Sequence, residues 1–157
     1  MDTDGIIKLH RAGILAQVVS TFRCAIPQAV FDEAVTKGKQ RLHQDADEIE
    51  AIMSDRVTIL PAQGERQPEP SLGAGELAIL SLMTEDQDAI VVSDDRRFLT
   101  ALTAQGVEFL TPADVLVVLA QRGVLTIDEA RDALDRLRPA IRPAAYWEAR
   151  QDLAIGG

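Results

Sequence analysis

Four short apolar runs divide this chain, and a residue that breaks the chain or starts a helix follows each one. Residues 22–26 stop at Pro27, 57–60 at Pro61, 89–93 at Asp94-Asp95, and 107–110 at Thr111-Pro112. Such runs are too short for buried helices and lack the apolar–polar alternation of a half-exposed strand, so they read as strands covered on both faces. Helical patterns fill the gaps. Residues 6–19 carry apolar positions at helical spacing with a break near Gly13. A helix entered at Pro27 puts Val30, Ala34 and Val35 inward and ends at Lys37-Gly38-Lys39. A polar helix over 40–54 turns Leu42, Ile49, Ile52 and Met53 inward, and residues 62–72, with Pro68 and Pro70, read as a surface loop. Further helices run over 76–84, from Asp94-Asp95 to Gly106, and from Thr111-Pro112 to Gly123. Thr126 and Glu129 have capping-box spacing, and a last helix follows Pro143.

Alternating strands and helices call for a three-layer α/β/α fold around a short, mostly parallel central sheet. At 157 residues the chain is one ordinary domain. The single Cys24 excludes an intrachain disulfide framework and a cysteine zinc cluster. No run of about 18 apolar residues offers a membrane span, and the acidic opening MDTDGIIKLHR is no secretory leader. A cytoplasmic protein is the expectation. Twenty-five acids against 16 Lys and Arg leave a net charge of −9, which excludes a broad electrostatic grip on nucleic acid. A nucleic-acid partner would need a local basic rim or a bound cation.

In open parallel sheets, ligand sites lie beyond the C-terminal ends of the strands. Acids are found there repeatedly: Asp2 and Asp4 before the first helix, Glu33 after the strand ending at Ile26, Glu76 after the long loop, and Asp94 and Asp95 after Ser93. Carboxylates gathered in one cleft repel one another, and raised pKa values or a bound divalent cation must relieve them. Hard oxygen donors suit Mg²⁺ or Mn²⁺. Each acid also has a plain structural use. Asp94 or Asp95 suits a helix N-cap, Glu76 a helix dipole, Glu33 a pair with Lys37, and Asp2 a frayed terminal charge. Lys8, Arg11, Arg96 and Arg97 flank the acids as solvated charges or as a phosphate-positioning rim. His10 and His43 are isolated. Arg136, Arg138 and Arg142 read as a solvated face, and Tyr146 and Trp147 as packing for the last helix or a dimer contact, with base stacking the alternative.

Taken in order, these residues resemble a PIN domain. Asp2-Thr3-Asp4 matches the family's opening acid motif, and residues 6–15, IIKLHRAGIL, its small helical segment. Ile26-Pro27-Gln-Ala-Val30-Phe-Asp-Glu33 matches its second acid motif, Leu72-Gly-Ala-Gly75-Glu76 its third, and Ser93-Asp94-Asp95-Arg-Arg-Phe98 its fourth. The likeness covers roughly residues 2–125, which makes 1–125 the catalytic domain and 126–157 a helical extension packed on it. The Gly-Glu and Asp-Asp-Arg-Arg variants resemble the subgroup of predicted nucleic-acid-binding PIN proteins close to VapC-like toxins.

The resemblance implies a metal-dependent ribonuclease. Asp2, Glu33, Glu76 and Asp95 would be its catalytic and metal-binding set, Asp94 a further ligand, and Ser93 and Asp4 support. The ions would be one or two Mg²⁺ or Mn²⁺, the substrate RNA, and the products a 3′-hydroxyl and a 5′-phosphate. Toxin members are usually homodimers silenced by a small antitoxin. In the family the first acid ends a strand of several apolar residues. Here only Met1 precedes Asp2, so a truncated N-terminal strand and a weakly held Asp2 are expected. Two other readings remain: a non-catalytic PIN-like binding module, and a phosphatase of the haloacid-dehalogenase type. The second fits Asp2-Thr-Asp4-Gly5, but Lys8, Lys37 and Lys39 all fall too early to supply that fold's later lysine.

Overall fold

The structure is a computed structural model; it describes residues 1–40, 45–61, 72–84 and 88–155. His43, Leu42 and nearly all of the 62–72 loop lie outside the described residues. Helix α1 (Thr3–Arg11) is followed by α2 (Leu15–Thr21), and Gly13 makes the break between them with a left-handed φ of 75°. Strand β1 (Cys24–Pro27) leads into α3 (Gln28–Phe31), a π-helical turn over Asp32–Thr36, and α4 (Lys37–Gln40). Then come α5 (Asp45–Met53), β2 (Val57–Leu60), α6 (Ala74–Met83), β3 (Val91–Val92), α7 (Arg96–Ala104) and β4 (Phe109–Leu110). Helices α8 (Pro112–Gln121), α9 (Ile127–Leu137) and α10 (Pro143–Ile155) complete the described chain.

The class is α/β with short parallel strands. β1 pairs with β2, Cys24 opposite Val57 through Pro27 opposite Leu60; β3 pairs with β4, Val91 opposite Phe109 and Val92 opposite Leu110. The central sheet is thus in two pieces among the described residues. Besides its ladder with β4, β3 takes one backbone bond from the N-terminus, Asp2 N–H to Val92 C=O at 3.1 Å.

Three local expectations are corrected. Pro27 closes β1 with extended ψ and caps α3, and is not a first-turn residue. Gly38 does not end its helix. It lies within α4, where an added Cβ would stand 3.0 Å from the Ala46 Cβ, so the glycine admits α5 at close range. The strands expected over 89–93 and 107–110 shrink to two residues each, and Ile90, before the first of them, is 51% exposed.

Capping follows the sequence. Thr111 accepts from the Asp114 amide, and Thr126 from the Glu129 amide. One apolar core joins Ile6 and Leu9 of α1 and Ile26 of β1 to Phe98 and Leu102 of α7, Leu116 and Leu119 of α8, and Leu134 and Leu137 of α9. Burying each such side chain contributes about 1.5–3 kcal/mol. Helices α9 and α10 pack on α8 and on each other. No helix among the described residues is long and apolar enough to cross a membrane.

Candidate active site

Five chain segments deliver acids to one cavity of about 400 Å³. Asp2 is the N-cap of α1. Its Oδ1 accepts from the Gly5 amide at 2.7 Å, and its Oδ2 accepts a short hydrogen bond from the Ser93 hydroxyl. It is only 4% exposed, so the expected weak hold is corrected: these two donors and the Val92 bond hold it in place. Gly5 makes the arrangement possible. A Cβ there would lie 2.9 Å from both Asp2 Oδ1 and the Val92 carbonyl oxygen. Burial pushes the Asp2 carboxyl above its ordinary range, against the Ser93 and Gly5 bonds that favour its charged form.

Glu33 stands on the π-helical turn after α3, and its Oε2 accepts from the Thr3 hydroxyl at 2.9 Å. A π turn inserts a residue into the helical repeat and re-aims the side chains beyond it, which is why such turns recur at functional sites. Glu76 sits in the first turn of α6, its Oε2 accepting from the Gly73 amide at 2.7 Å. Gly75 lets that turn come close to Glu33: a Cβ there would stand 3.1 Å from Val30 Cγ2 and 3.5 Å from Glu33 Oε2. The Glu76 carboxyl is raised, by burial first and then by the charges of Asp95, Asp2 and Glu33. Asp95 caps α7, with Oδ1 accepting from the amides of Arg97 (2.9 Å) and Phe98 (3.0 Å). Its own amide donates to the Ser93 hydroxyl at 3.2 Å. Ser93, fully buried, therefore ties Asp2 to Asp95.

The other sequence candidates divide. Asp4 and Arg11 also line the cavity. Asp94 does not: its buried carboxylate faces away, to Lys8 Nζ at 2.8 Å and Arg142 Nε at 4.0 Å. Consecutive residues leaving a strand point to opposite sides, so Asp94 and Asp95 cannot share one cavity. Lys8 is held between Asp94 and Asp4, the latter at 2.7 Å, and is not at the cavity wall. Arg96 and Arg97 open α7 in solvent, outside the lining. Sequence reasoning missed Asp45, which lines the cavity and pairs with Arg11 at 3.2 Å, and the bond from Thr3 to Glu33. Thr3 carried a signal, since it sits inside the opening acid motif. Asp45 carried none.

The carboxylates of the lining are the donor chemistry of a hard divalent cation. One oxygen of each of Glu33, Glu76 and Asp95 has no hydrogen-bond partner among the described residues. As they stand, no three acids among the described residues are drawn together as one coordination sphere; like charges hold apart, Glu33, Glu76 and Asp95 each turn one oxygen to a protein donor, and Asp2 turns both. The unbonded oxygens of Glu33, Glu76 and Asp95 are hard donors on the wall of one cavity, so in chemistry the residues fit such an ion.

No curated protein and no solved structure matches the chain. A family model described as a PIN domain matches residues 1–144, nearly the whole chain and every acid of the cavity. PIN domains are nucleases in general and generally use divalent metals. With its short parallel strands, helical layers and acid-lined cavity, this chain belongs to the PIN domain family.

Proposed function

We propose that this protein is a divalent-metal-dependent endoribonuclease that hydrolyses RNA phosphodiesters, leaving a 3′-hydroxyl and a 5′-phosphate. The observation that carries it is the convergence of Asp2, Glu33, Glu76 and Asp95 from four separate segments on one cavity. Burial first, and then the charges of Asp95, Asp2 and Glu33, raise the Glu76 carboxyl above its ordinary range. Those four residues would hold Mg²⁺ or Mn²⁺. When bound, the ion supplies charge neutralisation at the scissile phosphate and a more acidic water. The chain's own groups do the rest. Ser93 fixes Asp2 and Asp95 in one frame, Thr3 orients Glu33, and the Gly73 amide orients Glu76. Asp4 supports from the rim beside Lys8, and Arg11, Arg96 and Arg97 supply positive charge for phosphates. Asp94 acts through Lys8 and Arg142, outside the metal set.

The catalytic unit spans 1–125, with 126–157 a helical extension on it. The resemblance to VapC-like proteins supports a cytoplasmic homodimer acting as the toxin of a pair and silenced by a small antitoxin. The test is cleavage of RNA with and without Mg²⁺ or Mn²⁺ in the wild type and in Asp95→Asn. Asparagine keeps the helix cap, so the fold survives while a ligand charge is lost. Cleavage should fall on the order of 10²-fold, as for loss of one preorganised electrostatic contact. An unchanged rate and unchanged metal affinity in Asp95→Asn would remove the assignment.

A second reading, a PIN module that binds without cutting, draws on the protein donors that already hold both oxygens of Asp2 and one each of Glu33, Glu76 and Asp95. Calorimetry with Mn²⁺ separates the two: no binding at millimolar metal favours the module.

A further inference from the structure

Among the described residues, the wall of the acid cavity carries one basic side chain. Its lining holds the acids Asp2, Asp4, Glu33, Asp45, Glu76 and Asp95, and against them Arg11 alone. Thr3, Asp4, Ile7 and Arg11 all line the cavity from α1, so one face of that helix forms a wall. Thr3 marks the end where its hydroxyl meets Glu33. Arg11 enters the wall about two turns later, about 12 Å along the axis at about 1.5 Å per residue. The apolar Ile7 comes between them.

Arg11 is held by a partner on the same wall. Helix α5 packs on α1 and brings Asp45, itself part of the lining, to 3.2 Å from Arg11 Nε. That bond uses one of the guanidinium's five N–H donors. Those on the two terminal nitrogens have no hydrogen-bond partner among the described residues. A guanidinium gripped at Nε keeps its plane, and its terminal fork stays free for an anion with paired oxygens, such as a phosphate. The pair is not needed to join the two helices. Leu9 of α1 and Ile49 of α5 are buried in one core, and His10 bonds Glu48 at 3.1 Å. With side chains 59% and 35% exposed, the Arg11–Asp45 pair contributes little to stability.

We propose that Arg11, positioned by Asp45, binds an RNA phosphate that flanks the one being cut. The metal-binding acids take the scissile phosphate at their own end of the cavity. Arg11 enters beyond Ile7, where the same strand presents a neighbouring phosphate. A group held away from the reacting centre is bound equally well before and during the chemical step, so it tightens binding without speeding the cut. Asp45 is a positioning residue. Its own charge repels the phosphate, and it acts by ordering a long side chain before the strand arrives. The proposal rests on the ribonuclease reading above for its substrate, but the Arg11–Asp45 geometry does not involve the metal.

Two measurements test it. Cleavage of a short single-stranded RNA of mixed sequence in Mn²⁺ gives kcat and KM. Anisotropy of the same RNA, fluorescein-labelled, on Asp95→Asn protein in Mn²⁺ gives Kd over a potassium chloride series. Arg11→Gln should raise KM and Kd about ten-fold, as for loss of one charge-assisted contact. It should keep kcat within about two-fold. It should also flatten the slope of log Kd on log salt by about 0.7, the share of one single-strand phosphate. Asp45→Ala should raise Kd about three-fold by freeing the guanidinium. Asp45→Asn, whose amide oxygen still accepts from Nε, should bind at least as well as the parent. Thermal melts of all three should stay close to the parent, which separates positioning from folding. An unchanged Kd and salt slope in Arg11→Gln would overturn the subsite and leave the ribonuclease reading standing. A fall in kcat at unchanged KM would put Arg11 on the reacting phosphate and overturn it too. Asp45→Ala binding as tightly as the parent, or more tightly, would overturn the role of Asp45. Binding with the expected change of slope but no cleavage by the wild type supports the subsite and removes the nuclease. No binding at all removes the subsite, and cleavage by the wild type then decides the nuclease separately.

Discussion

Ser93→Ala is the sharpest perturbation of the site, because one buried hydroxyl serves two of the four acids. Ser93 is fully buried, donates to Asp2 Oδ2 and accepts from the Asp95 amide. Alanine fits the same space but removes both bonds. A hydrogen bond to a charged group contributes about 1.5–3 kcal/mol, and a buried group left unsatisfied costs about 1–3 kcal/mol. Asp2 keeps its Gly5 donor, so the two contributions do not add in full, and the loss is about 2–3 kcal/mol. For a domain of this size that lowers Tm by about 4–12 °C.

The pH dependence is the finer test. The Ser93 bond holds the Asp2 pKa down against burial, so its loss raises the folded-state value further. The stability gap between wild type and variant is full above the variant's Asp2 pKa. It shrinks as pH falls through the wild-type value, towards the contribution of a neutral hydrogen bond. Thermal melts followed by circular dichroism, with metal chelated, at neutral pH and at successively lower pH would measure it. An unchanged Tm at neutral pH, or a loss that stays constant into acid, would refute the assignment of Ser93 as the donor to a charged Asp2.

Two other outcomes follow from the same electrostatics. Glu76→Gln should slightly stabilise the metal-free protein at neutral pH. A carboxyl raised in the fold binds more protons there than in the unfolded chain, so its stability penalty appears as pH rises from the unfolded pKa through the folded one. The gain should be below about 1 kcal/mol, since Glu76 is only half-buried and screened, and a melt showing destabilisation would contradict it. Lys8→Met should cost about 3–5 kcal/mol, because it strands the buried Asp94 charge with only Arg142 at 4.0 Å; Asp94→Asn in the same background should recover part of the loss, and chemical denaturation of both variants checks it.

The sequence was most legible where physics is local. The Thr126 and Thr111 caps and the break at Gly13 follow from backbone donors and left-handed φ, which neighbouring residues settle among themselves. The four motif acids were readable as a set from their order along the chain. Less legible was everything that depends on a distant partner. Gly38 carries the mark of a helix end, yet Ala46 needs the missing Cβ for α5 to pack. The pair Asp94-Asp95 offers two equal candidates. Only the exit direction from β3 sends one to the cavity and the other to Lys8.

What the sequence determined by itself is therefore the class: short apolar strands, each followed by a helix, with an acid after most of them. The tertiary structure alone decided how Asp2 is held. Its buried carboxylate depends on Ser93, 91 positions away, on Val92 and on the close approach at Gly5. Desolvation and hydrogen bonding at that point are properties of a packed neighbourhood, which no window of consecutive residues contains.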